Sequence, residues 1–395
     1  MHATVAKAHH TLSRGAMTLY SFFAVIFVTA GSAAPTPLYR LYQQSMDLTP
    51  LLITVVFAIY SFSLLATLLT VGGLSDYLGR RPVILAALLL NIVALVLFAT
   101  AESIGQLIVA RAIQGIAVGS AMTAMGAAIL DTDRARGALL NSVTIFLGLT
   151  FGALGSGVLV TYAPHPLHLV YTLLLVATAV FAVMLWAMPE TISGKAGALA
   201  SLKPHMSVPS QSKRVLLRLT PANVAVWALG AFYLSLMPNV VATTMQIASP
   251  LIGGIVVATL MGTAAITVPA LKEWLPRRLV LTGTSALSLG VAVSLLGIAQ
   301  HQVGALLAGT VIAGFGLGAN FSGTLRSLLP TAKPDQRAGL LAAFYVECYL
   351  AFSLPAIVAG LAVPYAGLTM TAYVYGVAVI VLVAISLIAS LWSDE

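Results

Sequence analysis

The sequence predicts an all-α membrane protein in which twelve transmembrane helices form two parallel-duplicated six-helix bundles. Three observations carry this prediction. Of the 395 residues, 59% are hydrophobic and only 8% charged, with a mean hydropathy of +1.01, whereas a soluble domain holds roughly 25% charged residues. Apolar runs of about 20 residues, each long enough to cross a hydrocarbon layer about 30 Å thick as a helix, recur from end to end with short polar breaks. The second part of the chain also repeats landmarks of the first in the same order.

The runs fall at 17–36, 51–71, 83–100, 104–129, 139–161, 168–188, 219–238, 250–270, 279–298, 303–328, 339–362 and 368–391. The first follows a His-containing head and lacks a small-residue cleavage site, so it reads as a retained helix and not a removable leader. The second runs into Gly72 and Gly73. In the third, Val83 to Phe98 holds Asn91 as its single polar residue, a continuity that excludes the alternating pattern of barrel strands. Arg111 lies in the fourth run, glycines crowd the fifth, and the sixth closes at Pro189. The longest polar break, Glu190 to Arg218 with Pro204 and Pro209, reads as a linker. It divides the chain into a first bundle at 1–189, a linker at 190–218 and a second bundle at 219–395. Beyond it, the tenth run is rich in glycine at 314–318, the eleventh contains Glu347, and the twelfth ends near the carboxyl terminus.

Orientation follows from the basic residues, because positively charged loops stay cytoplasmic. With both termini inside, the cytoplasmic set is Lys7, Arg14, Arg80, Arg81, Arg134, Arg136, Lys195, Lys203, Lys213, Arg214, Arg218, Lys272, Arg277, Arg278, Lys333 and Arg337. Arg40 falls in the first external loop, Arg111 within the fourth run, and Arg326 near the inner end of the tenth. The net charge of +8 is thereby a topology signal and a match to anionic headgroups of membrane lipids. No basic stripe is interleaved with aromatics, so nucleic acid is not a partner. Cys348, the only cysteine, offers neither a disulfide framework nor a thiolate metal site. No Gly-x-x-x-x-Gly-Lys-Ser/Thr loop is present, so ATP does not drive the protein, and no cofactor is called for.

The duplication is visible residue by residue. Gly72, Leu74, Asp76, Tyr77, Leu78, Arg80 and Arg81 align without a gap to Pro269, Leu271, Glu273, Trp274, Leu275, Arg277 and Arg278, an offset of 197. Gly115 and Gly119 align to Gly314 and Gly318 at 199, and Gly137 to Gly339 at 202. Such order implies a parallel repeat about an axis along the membrane normal, with a substrate site between the halves near the midplane.

The run from Gly72 through Leu74, Asp76 and Gly79 to Arg80 and Arg81 resembles the loop signature G-x-L-x-D-x-x-G-R-R of the major facilitator superfamily at every fixed position. Leu107, Arg111, Gln114 and Gly115 are similar to its fourth-helix signature, L-x-x-x-R-x-x-Q-G, widespread among proton-coupled members. The fifth run, from Gly148 and Gly152 to Gly157, follows the pattern of the drug–proton antiporters, G-x-x-x-G-P-x-x-G-G, with Ala153 in place of its proline and Ser156 in place of one glycine. The first run, Met17 to Pro35, lacks the acid that many drug exporters carry there. The resemblance most implies proton-coupled drug or metabolite exporters of twelve helices, acting as monomers in the bacterial inner (cytoplasmic) membrane, with protons and a small molecule as partners.

An ionisable group at the bilayer centre is costly and so is a functional candidate. Glu347 lies about ten residues into the eleventh run, or roughly 15 Å deep at 1.5 Å per residue. Removal from water favours a neutral carboxyl there, which suits proton coupling; a permanently protonated packing carboxyl is the alternative. Arg111 keeps its charge. It serves either an anionic group or a nearby acid, or else bonds the backbone of an adjacent helix; in the resembling transporters it faces the cavity and is tied to proton coupling. Arg111 shares a helix face with Gln114, Val118, Met122 and Met125, and that face lines either an adaptable cavity or a packed seam. On the family argument, Tyr233 and Asn320 join the candidate substrate cavity.

Gly72, Asp76, Gly79, Arg80, Arg81 and Asp131 read as a cytoplasmic gate. Asp76 would meet the amino-terminal end of the eleventh helix and Arg80 would pair with Asp131. The glycines at 314–318 follow no strand and pack helices, while His2, His9, His10, His165 and His168 lack the company of a metal site. The sequence leads to a secondary active transporter, exporting small amphipathic molecules in exchange for protons by alternating access. Coupled uptake is the alternative, and a non-transporting receptor or scaffold comes third. No cluster of nucleophile, base and acid assembles in the spans, so the chain is not an enzyme.

Overall fold

The computed structural model describes residues 12–247 and 249–391; the head carrying His2, Lys7, His9 and His10 lies outside them. Among the described residues, eleven stretches are long and apolar enough to cross a membrane, and the last of these, Pro334–Ala389, is broken at Gly367, whose φ of 76° is non-helical. The break makes twelve helices. They are α1 (Arg14–Met46), α2 (Pro50–Thr70), α3 (Arg80–Ala99), α4 (Ile104–Thr132), α5 (Gly137–Tyr162), α6 (Pro166–Met184), α7 (Ser210–Ser235), α8 (Pro250–Ala270), α9 (Pro276–Ala299), α10 (Val303–Leu328), α11 (337–366) and α12 (368–391). Where the sequence suggests an external loop around Arg40, α1 continues as a second segment, Pro35–Met46. Residues 210–218, read from the sequence as linker, form the first turns of α7.

The repeat shows in how the helices touch. A Cβ added at Gly115 of α4 would lie 2.5 Å from the Tyr60 carbonyl of α2, and one added at Gly314 of α10 would lie 2.6 Å from the Leu260 carbonyl of α8. One turn on, Gly119 meets Thr67 and Gly318 meets Thr267 in the same way. Small residues let these backbones approach where neither water nor hydrophobic collapse drives helices together. The same α2–α4 seam is thus built twice, as α8–α10.

The two bundles meet through α5 against α8 and α2 against α11. At the end remote from the linker, a Cβ at Gly254 would sit 2.7 Å from the Ala153 carbonyl and 3.2 Å from the Gly157 Cα. Thr36 Oγ1 donates to the Leu234 carbonyl at 2.8 Å and Asn239 Nδ2 to Gln43 Oε1 at 2.9 Å. Phe57 packs on Phe352 and Phe146 on Phe321 deeper between the bundles, with ring centroids 4.9 and 5.4 Å apart. The far end is closed by direct backbone approach. Gly254→Val should therefore push α5 and α8 apart there, read as a longer spin-label distance between their far ends. An unchanged distance would mean that the seam tolerates side chains.

Candidate functional site

Between the bundles lies a small cavity of about 50 Å³ bounded by Ile145, Phe146 and Leu149 of α5, Trp227 and Gly230 of α7, Met261 of α8, Leu317 and Phe321 of α10 and Phe352 of α11. Its wall is aromatic and apolar. Trp227 stands at the hub, with Tyr349, Phe352 and Phe321 at centroid distances of 5.4, 5.9 and 6.5 Å.

Glu347 sits on the linker side of this cavity, half-buried on α11. Asn223 Nδ2 donates to its Oε1 at 2.8 Å and Thr220 Oγ1 to its Oε2 at 3.0 Å. Asn223 Nδ2 also donates to Cys348 Sγ at 3.3 Å. Thr220 and Asn223, three residues apart, share one face of α7, and Trp227 follows Asn223 by four residues on that face. The carboxyl thus lies about one helical turn from the cavity wall. Sequence reasoning missed Thr220 and Asn223; the signal was a hydroxyl and an amide at helical spacing within the seventh span, facing the one mid-span acid.

Arg111 is 1% exposed and held inside its own bundle. Pro35 has no N–H for the carbonyl of Gly31, and Pro37 none for that of Ala33, so α1 carries a gap in its hydrogen-bond ladder. Gln114 Nε2 donates to the Gly31 carbonyl at 3.0 Å, and Arg111 Nη1 to the Ser32 carbonyl at 3.0 Å and to Gln114 Oε1 at 2.8 Å. Ser156 Oγ of α5 donates to the Ala34 carbonyl at 2.6 Å. The Tyr39 hydroxyl accepts from Arg111 Nη2, and the guanidinium carbon stands 5.4 to 5.7 Å from the ring centroids of Tyr60, Phe98 and Tyr39. Such rings attract the cation. No carboxylate is among these partners, and the structure does not bring Arg111 to Glu347.

Of the other residues offered for a cavity, Gln114, Tyr233 and Asn320 likewise bond within their own bundles. Gln114 and Met125 are fully buried, and Met122 is half-buried beside them. Tyr233 bonds to Thr310 Oγ1 at 3.0 Å and Ser294 Oγ at 3.3 Å. Asn320 accepts from Thr284 at 2.9 Å and donates to the Gly316 carbonyl at 3.1 Å. Each polar tip is satisfied by a neighbouring helix, and none of these residues borders the central cavity.

At the linker end, Gly79 has a φ of 95°, a conformation that favours glycine, and a Cβ there would meet Glu190 Oε2 at 2.8 Å. Glu190 accepts from the backbone N–H of Arg80 at 2.8 Å and of Arg81 at 3.0 Å, so a distant carboxylate caps the first turn of α3. The Arg80 side chain bridges Asp76 at 2.5 Å, Asp131 at 2.9 Å and Ser75 at 2.7 Å. Thr191 Oγ1 donates to the same Asp131 oxygen at 2.9 Å. Asp76 is thereby engaged by Arg80 within the first bundle, not by α11. Gly72 lies on the turn leading to this network, and Arg81 stands apart from it, donating to the Trp186 carbonyl at 3.2 Å.

A family model described as Major Facilitator Superfamily matches residues 21–266, more than half of the chain. Among curated proteins, the multidrug resistance protein MdtL of Shewanella sp. (strain ANA-3) is 29% identical over 144 residues, covering 35% of this chain and 36% of that protein. MdtL of Escherichia coli O81 (strain ED1a) is 26% identical over 279 residues, 67% of this chain and 68% of that protein. The chain thus spans about a third of the first relative's length and two thirds of the second's. The crystal structure of the human organic anion transporter MFSD10 superposes with a TM-score of 0.66 at 19% identity, covering 95% of this chain and 100% of that one, a likeness of fold.

The cage around Arg111 predicts a structural penalty. Arg111→Lys keeps the charge but cannot span the Ser32 carbonyl, Gln114 and Tyr39 together, and each buried acceptor left bare costs about 1–3 kcal/mol. The midpoint of thermal unfolding in detergent should fall by several degrees. An unmoved midpoint would reject the structural role.

Proposed function

The chain belongs to the major facilitator superfamily, and on that premise we propose that this multi-pass membrane transporter exports small amphipathic drugs or metabolites in exchange for protons. It works by alternating access, as a monomer in the inner membrane with both termini cytoplasmic. The moving parts are the bundle that ends at residue 189 and the bundle that begins with α7 at Ser210, joined through 190–209. The observation that carries the reading is the Glu347 carboxyl, held by Thr220 and Asn223 about one turn from the aromatic cavity.

The charged carboxylate accepts from both α7 donors, whereas a protonated carboxyl gives up one acceptor position to its own O–H. Gain or loss of the proton therefore changes the bonding across the α7–α11 seam directly beneath the cavity, and the cavity wall moves with α7 through Trp227. The far end is closed at Gly254, Thr36 and Asn239, and an exporter would load from the opposite, linker side. Asp76, Arg80 and Asp131, with Gly72 and Gly79 shaping the turn, form the gate on that side by fixing the loop before α3 to the end of α4. Arg111 contributes to coupling only through α1, by keeping its broken segment rigid. The MdtL relatives, named for multidrug resistance, support export as the direction.

Glu347→Gln should abolish transport driven by a pH gradient while the protein stays folded and still binds substrate. The assay is substrate-induced proton release from inverted vesicles, followed with a pH-sensitive dye. Wild-type release in the variant would assign Glu347 to packing, and gradient-driven uptake in intact cells with no response in the vesicles would overturn export.

For the gate, Asp131→Asn should slow turnover more than Asp76→Asn, because the Asp131 side chain is 29% exposed and that of Asp76 47%, so solvent screens the latter pair more. Substrate affinity should change little in either. Equal turnover, or a large loss of affinity, would count against a gate.

A further inference from the structure

Arg81 belongs to the loop signature yet takes no part in the Asp76–Arg80–Asp131 network. Its guanidinium lies in a separate recess of about 300 Å³ at the linker end, bounded by Arg81, Pro82, Leu85, Leu185, Trp186 and Glu190. Arg81 Nη2 donates to the Trp186 carbonyl, its Nε is buried without a partner, and among the described residues no ion pair includes it. Among the described residues the neighbouring Glu190 makes no ion pair with it, and its carboxylate accepts instead from the backbone N–H groups of Arg80, Arg81 and Thr191. A cation with spare donors in a recess calls for an anion.

The setting identifies the kind of anion. Arg81 is the second residue of α3, at the level where that helix enters the membrane, and Trp186 beside it is 71% exposed, as expected of an aromatic ring at a headgroup boundary. Leu85 lies four residues further along α3, about 6 Å deeper. From there an exposed apolar stripe continues down both flanking helices, through Leu89 and Val93 of α3 and Val183 and Val180 of α6. A charged head over an apolar track is the shape of a phospholipid. We propose that this recess binds the phosphate of an anionic phospholipid in the leaflet at the linker end, with its acyl chains along the α3–α6 stripe.

The second bundle does not repeat the site. Arg278, aligned with Arg81, is stacked on the Trp274 ring at 4.1 Å.

The test uses the full chain in detergent, titrated separately with short-chain phosphatidylglycerol, short-chain phosphatidylcholine and inorganic phosphate, with thermal unfolding as the readout. Phosphatidylglycerol should raise the unfolding midpoint by several degrees, and the other two should not. Arg81→Gln should weaken that response about tenfold in lipid concentration, as expected for loss of a charge-assisted hydrogen bond. Should Arg81→Gln fail to fold, Arg81→Lys, which keeps a point charge without the fork, should give an intermediate weakening. An equal rise with phosphatidylcholine or with phosphate alone, or an undiminished response in both variants, would overturn the proposal. No transport is measured, so the outcome is independent of the exporter reading.

Discussion

A carbonyl or charge inside a hydrocarbon layer has no water to turn to, and the polar architecture of this protein follows from that constraint. Two prolines interrupt the ladder of α1, and the carbonyls around the break are met by Gln114, Arg111 and Ser156 from two other helices. The same constraint places a threonine and an asparagine opposite Glu347. In each case one helix supplies a cost and its neighbours remove it, so the helices become mutually fixed. Weak van der Waals seams such as Gly115 on Tyr60 then set the distances between them.

The two bundles solve the same packing problem with different chemistry. At the offset that aligns Gly115 with Gly314, Arg111 of α4 corresponds to Thr310 of α10. In the first bundle the position holds a guanidinium bonded to a broken helix; in the second it holds a hydroxyl bonded to Tyr233. In-span charge is thus divided, with a fixed cation in one bundle and an acid near mid-depth in the other. The linker end shows a similar asymmetry, since Asp76 is bridged by the buried Arg80 while its counterpart Glu273 pairs with the exposed Lys272.

The helix count, the repeat and the membrane setting were legible in the sequence because hydropathy and glycine spacing act locally. Gly367 could be placed between two runs by eye, and Arg80 with Asp131 could be paired because both lie at predicted helix ends. The candidate cavity was not legible in the same way. Gln114, Met125, Tyr233 and Asn320 all lie on plausible faces, yet the direction in which a face points depends on how each helix is rotated in its bundle. Their polar tips are satisfied within the bundle, so the cavity fell instead to Phe146, Trp227, Phe321 and Phe352, which read in the sequence as ordinary apolar residues.

The sequence by itself therefore determined which segments enter the membrane, that the plan is made twice, and that one carboxyl lies near mid-depth. These are properties of composition and spacing along one dimension. Only the tertiary structure decided which side chains meet: that Arg111 serves a proline-broken helix, that Glu347 is held by Thr220 and Asn223, and that Glu190, 110 residues from Arg80, caps its helix. Hydrogen-bond partners are chosen by proximity in space, and in a bundle of twelve similar helices that proximity is set by packing, which no single stretch of sequence encodes.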